Sequence, residues 1–202
     1  MKKITLQILW SFIIILTLGS CSSQTEPLLH KKSIQMKISD NWEVFPNSAS
    51  LQPGQVISSP SFKIESVIEA SVPTTVLNAQ VRKGIFKDIY FGDNITKIPE
   101  EDYQQAWWYR KALLIENIDS DFELQFDGIN YKANIWLNGQ LLADTSRVNN
   151  AFKQYRYNVS DLLVEGENII AVQVYPPKAG DFSIGFVDWN PSPPDQNMGI
   201  FR

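Results

Sequence analysis

Residues 121–142, DFELQFDGINYKANIWLNGQLL, constrain the fold more than any other part of the chain. Three apolar side chains at the start of this stretch alternate with polar ones: they are Phe122, Leu124 and Phe126. This period-two pattern is typical of a strand with one buried and one solvated face, and Asp127-Gly128 provides a turn after it. A shift of one residue in the strand pairing would expose all of these apolar side chains, so the register is strongly specified.

The second half of the same stretch predicts a tight β-hairpin. Ala133, Ile135 and Leu137 continue the alternation, and Asn138-Gly139 follows at once. Asparagine and glycine are the residues that best tolerate the positive φ angles of a type I′ turn. We therefore predict strand, turn, strand, hairpin and strand along residues 121–142.

Short candidate strands recur between turn residues along the rest of the chain. They are residues 35–39 (QMKIS), 42–46 (WEVFP), 62–73 (FKIESVIEASVP), 111–117 (KALLIEN) and 169–175 (IIAVQVY). Pro53, Pro60 and Pro73 interrupt any long helix, and residues 74–86 allow either one short helix or a strand and a loop. Roughly eight or more antiparallel strands without βαβ alternation predict an all-β sandwich of the jelly-roll type.

The N-terminus has the pattern of an export signal. Lys2 and Lys3 precede an apolar run at residues 4–18, which ends in Leu18-Gly19-Ser20-Cys21. This ending resembles a bacterial lipobox, and we predict a lipoprotein signal peptide at residues 1–20. Cys21 would then be the lipidated first residue of an exported lipoprotein that acyl chains hold on a membrane, on its periplasmic or cell-surface face. The alternative is an uncleaved anchor helix, for which the run is short.

We predict a polar tether at residues 21–32 and one folded domain at residues 33–202. Cys21 is the single cysteine and His30, in the tether, is the single histidine. These counts exclude an intrachain disulfide, a Ser-His-Asp triad and a histidine zinc site, and we expect neither a metal nor a cofactor. The formal net charge of −4 and the lack of a basic patch argue against nucleic-acid binding.

Three aromatic residues stand in a row at Trp107-Trp108-Tyr109. Successive side chains of a strand point to opposite faces of its sheet. We therefore expect at least one of the three to face solvent, a cleft or a neighbouring domain; packing against an irregular loop is the alternative.

Five stretches together resemble the N-terminal domain of glycoside hydrolase family 2, which contains β-galactosidases, β-glucuronidases, β-mannosidases and exo-β-glucosaminidases. In the order of that family they are residues 72–95, 106–116, 126–142, 159–177 and 188–202. The first and last stretches most resemble exo-β-glucosaminidases, and next β-mannosidases. The resemblance implies a galactose-binding-like jelly-roll sandwich whose partner is a carbohydrate with a terminal β-linked glucosamine or mannose unit.

Catalysis in that family takes place in a (β/α)₈ barrel that follows the N-terminal domains. Retaining hydrolysis there uses two carboxyl groups about 5 Å apart. No stretch of residues 33–202 resembles the catalytic segments of the family, so we assign no catalytic residue in this chain. The resemblance further implies a chain that stops near a late strand of its first domain and lacks the catalytic barrel.

A loop of the first domain contacts the terminal sugar in the family, and residues 186–191, FVDWNP, correspond to it. By this resemblance the substrate-binding residues are Asp188, Trp189 and Asn190. A carboxylate and an amide can hydrogen-bond sugar hydroxyls, and an indole offers an apolar platform for a sugar ring. The alternative is structural: Asp188 and Asn190 cap a turn, and Trp189 packs beneath it.

Four further residues are secondary candidates for the sugar site: Tyr90, Asn94, Trp107 and Trp108. Each could equally be buried against the absent catalytic barrel, because an exposed apolar patch usually marks an interface.

Three functions remain open from the sequence. The chain is the N-terminal part of an exported exo-acting β-glycosidase, a non-catalytic carbohydrate-binding lipoprotein, or a scaffold domain that only docks a barrel. Coding sequence downstream of Arg202 separates the first from the others, and sugar titration separates the second from the third.

Overall fold

Eleven short strands and two short α-helices make up the part of the chain that the computed structural model describes, residues 35–185 and 191–201. The strands are β1 (Trp42–Pro46), β2 (Ile68–Ala70), β3 (Thr74–Thr75), β4 (Trp107–Ile115), β5 (Glu123–Phe126), β6 (Ile129–Asn130), β7 (Lys132–Leu137), β8 (Gln140–Ala143), β9 (Tyr155–Asn158), β10 (Gly166–Tyr175) and β11 (Gly199–Ile200). The helices are α1 (Gly54–Ile57) and α2 (Val76–Arg82), and single 3₁₀ turns lie at Asn47–Ala49, Asn94–Lys97 and Glu101–Tyr103. All of these elements lie in the unit Lys37–Arg202; Met1–Met36 form a separate unit.

The main sheet has six strands in the order β2-β1-β4-β10-β7-β8, and every pair in it is antiparallel. The ten-residue strand β10 is central and pairs with β4 on one side and β7 on the other. Two smaller antiparallel sheets, β3-β11-β6 and β5-β9, complete the fold. The prediction of an antiparallel all-β domain is confirmed.

The principal core lies on one face of the main sheet. Val44, Tyr109, Ile135 and Val172 of that sheet are fully buried there. They share one hydrophobic cluster with Phe126 of β5 and with residues of β6, β11 and α2. The small sheets and α2 therefore form the second layer of the sandwich.

A second, smaller core covers the opposite face of the main sheet. Phe45, Ile57, Phe62, Trp108 and Ala171 form it, and the segment that contains α1 supplies Ile57 and Phe62. Both faces of the sheet are consequently covered where β1, β4 and β10 lie side by side.

The expectation that one of the three consecutive aromatic residues faces outward is wrong. Trp107, Trp108 and Tyr109 are 3%, 1% and 0% exposed. Trp107 and Tyr109 enter the principal core, whereas Trp108 enters the smaller core on the opposite face. The three side chains do alternate between the two faces of the sheet. The sequence pattern did not predict, however, that the α1 segment covers the face on which Trp108 lies.

The hairpin between β7 and β8 forms as predicted. Asn138 and Gly139 have φ angles of 49° and 82°, and Leu137 pairs with Gln140 across the turn. The Asn138 side chain also contacts β10, because its Oδ1 accepts a hydrogen bond from the N–H of Ile169 at 2.8 Å.

Two other predictions were ambiguous or wrong. Residues 74–86 form the short strand β3 followed by helix α2, and Thr75 caps the helix by accepting from the N–H of Asn78 at 3.2 Å. Of residues 35–39 none is in a strand, and of residues 62–73 only Ile68–Ala70 are. The first of these segments makes a single backbone contact with the chain after β2, from the N–H of Val72 to the carbonyl of Ser39 at 2.8 Å, and forms no strand ladder.

Candidate functional site

One end of the main sheet gathers four segments of the chain. Strands β4 and β7 begin there and β10 ends there, as the pairs Val174↔Trp107 and Tyr175↔Lys132 show. We call this end the rim, and define it as residues 129–131, 144–154, 176–185 and 191–198. The N–H of Ala133, at the start of β7, donates to the carbonyl of Val148 at 3.1 Å and so fastens the second of these loops.

The primary candidates Asp188, Trp189 and Asn190 lie outside the described residues. Their assignment to the sugar site therefore stays a prediction. The chain is described up to Gly185 and again from Pro191. We call residues 178–185 the first stem and residues 191–198 the second stem; contacts of Ile184 and Gln196 with Asn130 place both on the rim.

An ion pair and a backbone contact fasten the first stem. Lys132 Nζ lies 3.0 Å from Asp181 Oδ1, and Asp181 Oδ2 accepts from the N–H of Lys178 at 2.9 Å. Asp181 thus joins the loop after β10 to the start of β7. The rim is in this way built from both neighbouring strands of the sheet.

Asn130 contacts both stems. Its side chain is fully buried, its Oδ1 accepts from the N–H of Ile184 at 3.2 Å, and its Nδ2 donates to the carbonyls of Gln196 and Asn197 at 3.0 and 2.9 Å. No local sequence pattern reveals this role, because the partners are more than fifty residues away along the chain.

Asp195 is a buried carboxylate behind the second stem. It is 1% exposed, its Oδ2 accepts from the N–H of Leu77 at 2.8 Å, and its Oδ1 accepts from the N–H of Asn197 at 3.0 Å. Burial raises the pKa of the Asp195 carboxyl, while hydrogen bonds from Leu77, Thr75 and Asn197 oppose that rise. The carboxylate links the stem to the first turn of α2. In the sequence, the turn-forming residues of PPDQNM, at positions 193–198, are the pattern that could have predicted this tight connection.

The rim also carries an aromatic pair that was not among the residues predicted from the sequence. Phe152 and Phe182 are 54% and 60% exposed, and their ring centroids lie 5.3 Å apart at an interplanar angle of 51°. They come from two different loops, so sequence spacing gives no hint of the contact. Exposed ring faces of this kind can pack against the apolar face of a sugar.

A row of amides crosses the outer face of the sheet beside the rim. Asn134 Nδ2 donates to Gln173 Oε1 and to the hydroxyl of Tyr175, both at 3.1 Å. Gln173 Nε2 continues the row by donating to Asn47 Oδ1 at 2.9 Å. These groups satisfy one another, so the row serves to join β7, β10 and the end of β1.

The secondary candidates divide into two pairs. Tyr90 is 84% exposed, and Asn94, four residues further along the chain, donates from Nδ2 to the carbonyl of Asp88 at 3.0 Å. Trp107 and Trp108 are buried. The indole N–H of Trp107 donates to the carbonyl of Asp102, and that of Trp108 donates to Oδ1 of Asn47. Of the four, only the first pair has surface that a ligand can reach.

The described residues offer neither a metal cluster nor a membrane-spanning helix. Residues 35–185 and 191–201 contain no group of three or more histidine, cysteine or acidic residues placed to hold a metal ion. Within the same ranges, no helix has the length and apolar character needed to cross a membrane.

The chain resembles known proteins over most of its length. A family model described as "Glycosyl hydrolase 2 galactose-binding domain-like" matches residues 55–182. An exo-β-D-glucosaminidase of Amycolatopsis orientalis is 32% identical over 160 residues, which are 79% of this chain and 16% of that protein.

Solved structures agree with this match. The exo-chitosanase of Amycolatopsis orientalis in complex with PNP-β-D-glucosamine has a TM-score of 0.77 and 29% identity, covering 81% of this chain and 19% of that one. A β-D-mannosidase from Dictyoglomus thermophilum has a TM-score of 0.61 and 25% identity, covering 83% of this chain and 22% of that one.

The chain spans only 16% and 17% of the length of two curated exo-β-D-glucosaminidases that it matches. The family match nevertheless covers more than half of the 202 residues. The resemblance inferred from the sequence is confirmed: the chain belongs to the glycosyl hydrolase 2 galactose-binding domain-like family.

Proposed function

We propose that this chain is the sugar-facing N-terminal domain of an exported exo-β-glucosaminidase-type glycosidase. The observation that carries the proposal is the similarity to the Amycolatopsis orientalis enzyme in both sequence and fold. The name of that relative and the PNP-β-D-glucosamine in its solved complex point to a β-linked glucosamine unit as the substrate.

The sugar contacts in this proposal are Asp188 and Trp189, with Asn190 beside them. Their residue types suit the task, since the carboxylate and amide can bind hydroxyl or ammonium groups and the indole can pack on the ring. The described residues on either side support it, because Asn130 contacts both Ile184 and Asn197 at the rim.

Sugar titration of the purified chain tests this proposal. Tryptophan fluorescence is followed with glucosamine, a β-1,4-linked glucosamine dimer, N-acetylglucosamine and mannose. We expect a weak, saturable change that is largest for glucosamine and its dimer. It should be weak because, in this proposal, the domain supplies only part of the pocket. Trp189→Ala should abolish the change. Leu114→Ala is the control and should keep it, because this exposed residue of β4 pairs with Glu167 at the opposite end of the main sheet. No saturable change with any of the sugars would overturn the proposal.

Hydrolysis is assigned to polypeptide beyond this domain. We expect no release of p-nitrophenol from PNP-β-D-glucosaminide by the purified chain, and release by a protein in which the domain is continued by its catalytic segments. Turnover by the chain alone would contradict the assignment. Saturable binding in a gene product that has no catalytic segments would favour the carbohydrate-binding lipoprotein instead.

Export and lipid anchoring form the second part of the proposal. The basic Lys2-Lys3, the apolar run that follows and the cysteine at position 21 support it. Labelling of cells with a fatty-acid analogue should mark the chain, and Cys21→Ala should remove both the label and the membrane association. Unchanged labelling of Cys21→Ala would exclude this lipidation site.

A further inference from the structure

The amide row beside the rim is a part of the outer face of the main sheet that the smaller core leaves uncovered. Its side chains are half-buried, and they are those of Asn47, Asn134, Gln173 and Tyr175, whose hydroxyl is bonded into the row. Farther from the rim on the same face, Phe45 and Ala171 are fully buried in the smaller core. The row is therefore open to a ligand where its neighbours on β1 and β10 are not.

Hydrogen bonds inside the row fix the orientation of its amides. Gln173 Oε1 accepts from Asn134 Nδ2 at 3.1 Å and from the hydroxyl of Tyr175 at 2.8 Å. Asn47 Oδ1 accepts from Gln173 Nε2 at 2.9 Å and from the indole N–H of Trp108 at 3.1 Å. Because each oxygen has two donors, turning either amide over would set donor against donor. The amide nitrogens are consequently held in defined directions.

The row has more N–H groups than its own bonds use. An amide nitrogen carries two hydrogens. Gln173 Nε2 uses one of them on Asn47, and Asn47 Nδ2 donates to no described group. Within residues 35–185 and 191–201, the Trp136 indole nitrogen is the one buried side-chain atom without a partner, so Asn47 Nδ2 is open to solvent. Both N–H groups of Asn47 and one of Gln173 therefore remain for a ligand.

The amides at the opposite end of the main sheet show the contrast. Asn138 Nδ2 donates to the carbonyl of Leu162 and to Asn168 Oδ1. Asn168 Nδ2 donates to the carbonyls of Val164 and Gly166. Both nitrogens have two acceptors, as amides with a purely structural role require. Joining the strands accounts for the oxygens of the amide row, but it does not account for the unused N–H groups.

We propose that the amide row is a second sugar-binding site, which takes an uncharged, hydroxyl-bearing sugar unit. Sugar hydroxyl oxygens accept from the N–H groups of Asn47 and Gln173, and the ring of Tyr175 offers an apolar contact to the sugar ring. The inference goes beyond the proposed function, because it involves none of residues 186–190 and no catalytic step.

The chemistry of the row favours an uncharged sugar over glucosamine. An ammonium group has donors and no acceptor, so it cannot bond to the N–H groups that the row presents. The charged neighbour of Tyr175 across the strands is Lys132, which is already paired with Asp181 at 3.0 Å. Neither an ammonium nor a carboxylate on the sugar therefore gains a free counter-charge from it.

Nuclear magnetic resonance of the purified, ¹⁵N-labelled chain tests the site directly. The side-chain NH₂ resonances of Asn47 and Gln173 are assigned by their loss in Asn47→Ala and Gln173→Ala. The chain is titrated with tetramers of β-1,4-linked glucose and of β-1,4-linked glucosamine, and with glucuronic acid. We expect both resonances to shift saturably with the glucose tetramer, with a dissociation constant in the millimolar range. The NH₂ resonances of Asn138 and Asn168 should stay in place.

Two variants and a matched control locate the binding. Asn47→Ala removes the unused N–H groups, and Tyr175→Ala removes the ring. Each should weaken binding of the glucose tetramer about fivefold, as the loss of one favourable contact does. Gln140→Ala is the control, because it removes an exposed amide of the same sheet that pairs with Leu137 at the hairpin end. It should bind like the unmodified chain.

The outcomes separate this inference from the proposed function. Resonances of Asn47 and Gln173 that do not shift in the unmodified chain overturn the inference, and so does equal weakening by Gln140→Ala. Binding of the glucosamine tetramer or of glucuronic acid as tight as that of the glucose tetramer overturns the assignment to an uncharged sugar.

Trp189→Ala distinguishes the two sites. It should abolish the glucosamine response of the proposed function and leave the shifts of the amide row with the glucose tetramer unchanged. Loss of those shifts in Trp189→Ala would overturn a separate second site. If the unmodified chain shows no glucosamine response but the row resonances shift with the glucose tetramer, the proposed function fails and the second site stands. If Asn47→Ala does not fold, Tyr175→Ala is judged by the same titration.

Discussion

The indole of Trp136 lies so close to Gly54 that a Cβ atom on the glycine would be 2.3 Å from Nε1. Gly54 is the first residue of α1, and Trp136 stands on the outer face of β7. The absence of a side chain at this one position lets α1 lie against the sheet and complete the smaller core.

Gly54→Ala should therefore destabilise the domain. The new methyl group overlaps the ring, which must move or push α1 away, and overpacking of this kind costs about 1 to 3 kcal/mol. Urea denaturation measures the loss. Gly185→Ala is the control, because the nearest atom to its Cβ is Ser183 Oγ at an ordinary 3.6 Å.

A double-mutant cycle tests the cause. Trp136→Leu removes the ring, and the Trp136 indole N–H has no hydrogen-bond partner that would be lost with it. Gly54→Ala should cost much less in the Trp136→Leu background. Equal costs in the two backgrounds would show that the indole contact is not the source.

Arg110 should be intolerant of replacement by lysine. Its Nε and Nη2 donate to the carbonyls of Ile57 and Ser59 at 2.9 and 3.1 Å, and Nη1 lies 2.5 Å from Glu43 Oε2. A lysine ammonium cannot reach all three groups from one side chain, so the buried carbonyl of Ile57 or the partly buried carbonyl of Ser59 loses its partner. We expect a loss of about 2 to 4 kcal/mol in the free energy of unfolding, measured by urea denaturation.

Arg156→Lys serves as the control for Arg110. Arg156 and Glu123 form an exposed pair at 3.8 Å, with both side chains more than half exposed. Exposed pairs contribute about 0 to 1 kcal/mol, so the change should be small. Similar effects of the two substitutions would refute a special role for the Arg110 contacts.

The sequence predicted the parts of the fold whose causes are local. Asn138-Gly139 selects its hairpin from two adjacent residues, and the alternation from Ala133 to Leu137 sets the buried face of β7. The burial of Trp108 could not be predicted in the same way. It depends on the α1 segment, about fifty positions earlier, folding over the outer face of the sheet.

The candidate site shows the same division. Aromatic and acidic residue types around position 188 draw attention in the sequence because sugar recognition needs them. Asn130 and Asp195 do not stand out, since each looks like an ordinary turn residue until its distant partners are known. Ile184 is 54 positions from Asn130, and Leu77 is 118 positions from Asp195.

The buried carboxyl of Asp195 should leave a mark on the pH dependence of stability. Its pKa in the folded chain is raised above the ordinary value of 3.8. A carboxyl whose pKa is raised by folding stabilises the folded state when it is protonated. The contribution of Asp195 to the free energy of unfolding is therefore fully present below pH 3.8, and it is lost as the pH rises through the folded-state pKa.

Asp195→Asn removes that titration. From about pH 7 to about pH 4, the stability of the unmodified chain relative to Asp195→Asn should rise. Asp144→Asn is a control with the opposite sign. Hydrogen bonds from Ser146 lower the pKa of the exposed Asp144 carboxyl, so the stability that this carboxylate contributes is lost on acidification. A difference between Asp195→Asn and the unmodified chain that stays constant with pH would contradict the assignment.

Asn138 should contribute to stability in two separable ways. Its φ of 49° suits asparagine or glycine, and its Nδ2 donates to the carbonyl of Leu162 at 2.8 Å and to Asn168 Oδ1 at 2.7 Å. Asn138→Gly keeps the backbone angle and removes the side-chain bonds, for which we expect a loss of about 1 to 3 kcal/mol. Asn138→Ala adds the strain of a positive φ, about 1 to 2 kcal/mol more.

Thermal and urea unfolding of the two Asn138 variants measure both contributions. Asn117→Ala is the control, because Asn117 is an exposed loop residue whose Nδ2 reaches only Asp119, two positions away. The order of stability should be Asn117→Ala, then Asn138→Gly, then Asn138→Ala. If Asn138→Gly were as stable as the control, the bonds to Leu162 and Asn168 would contribute nothing, and backbone conformation alone would account for the asparagine in this hairpin.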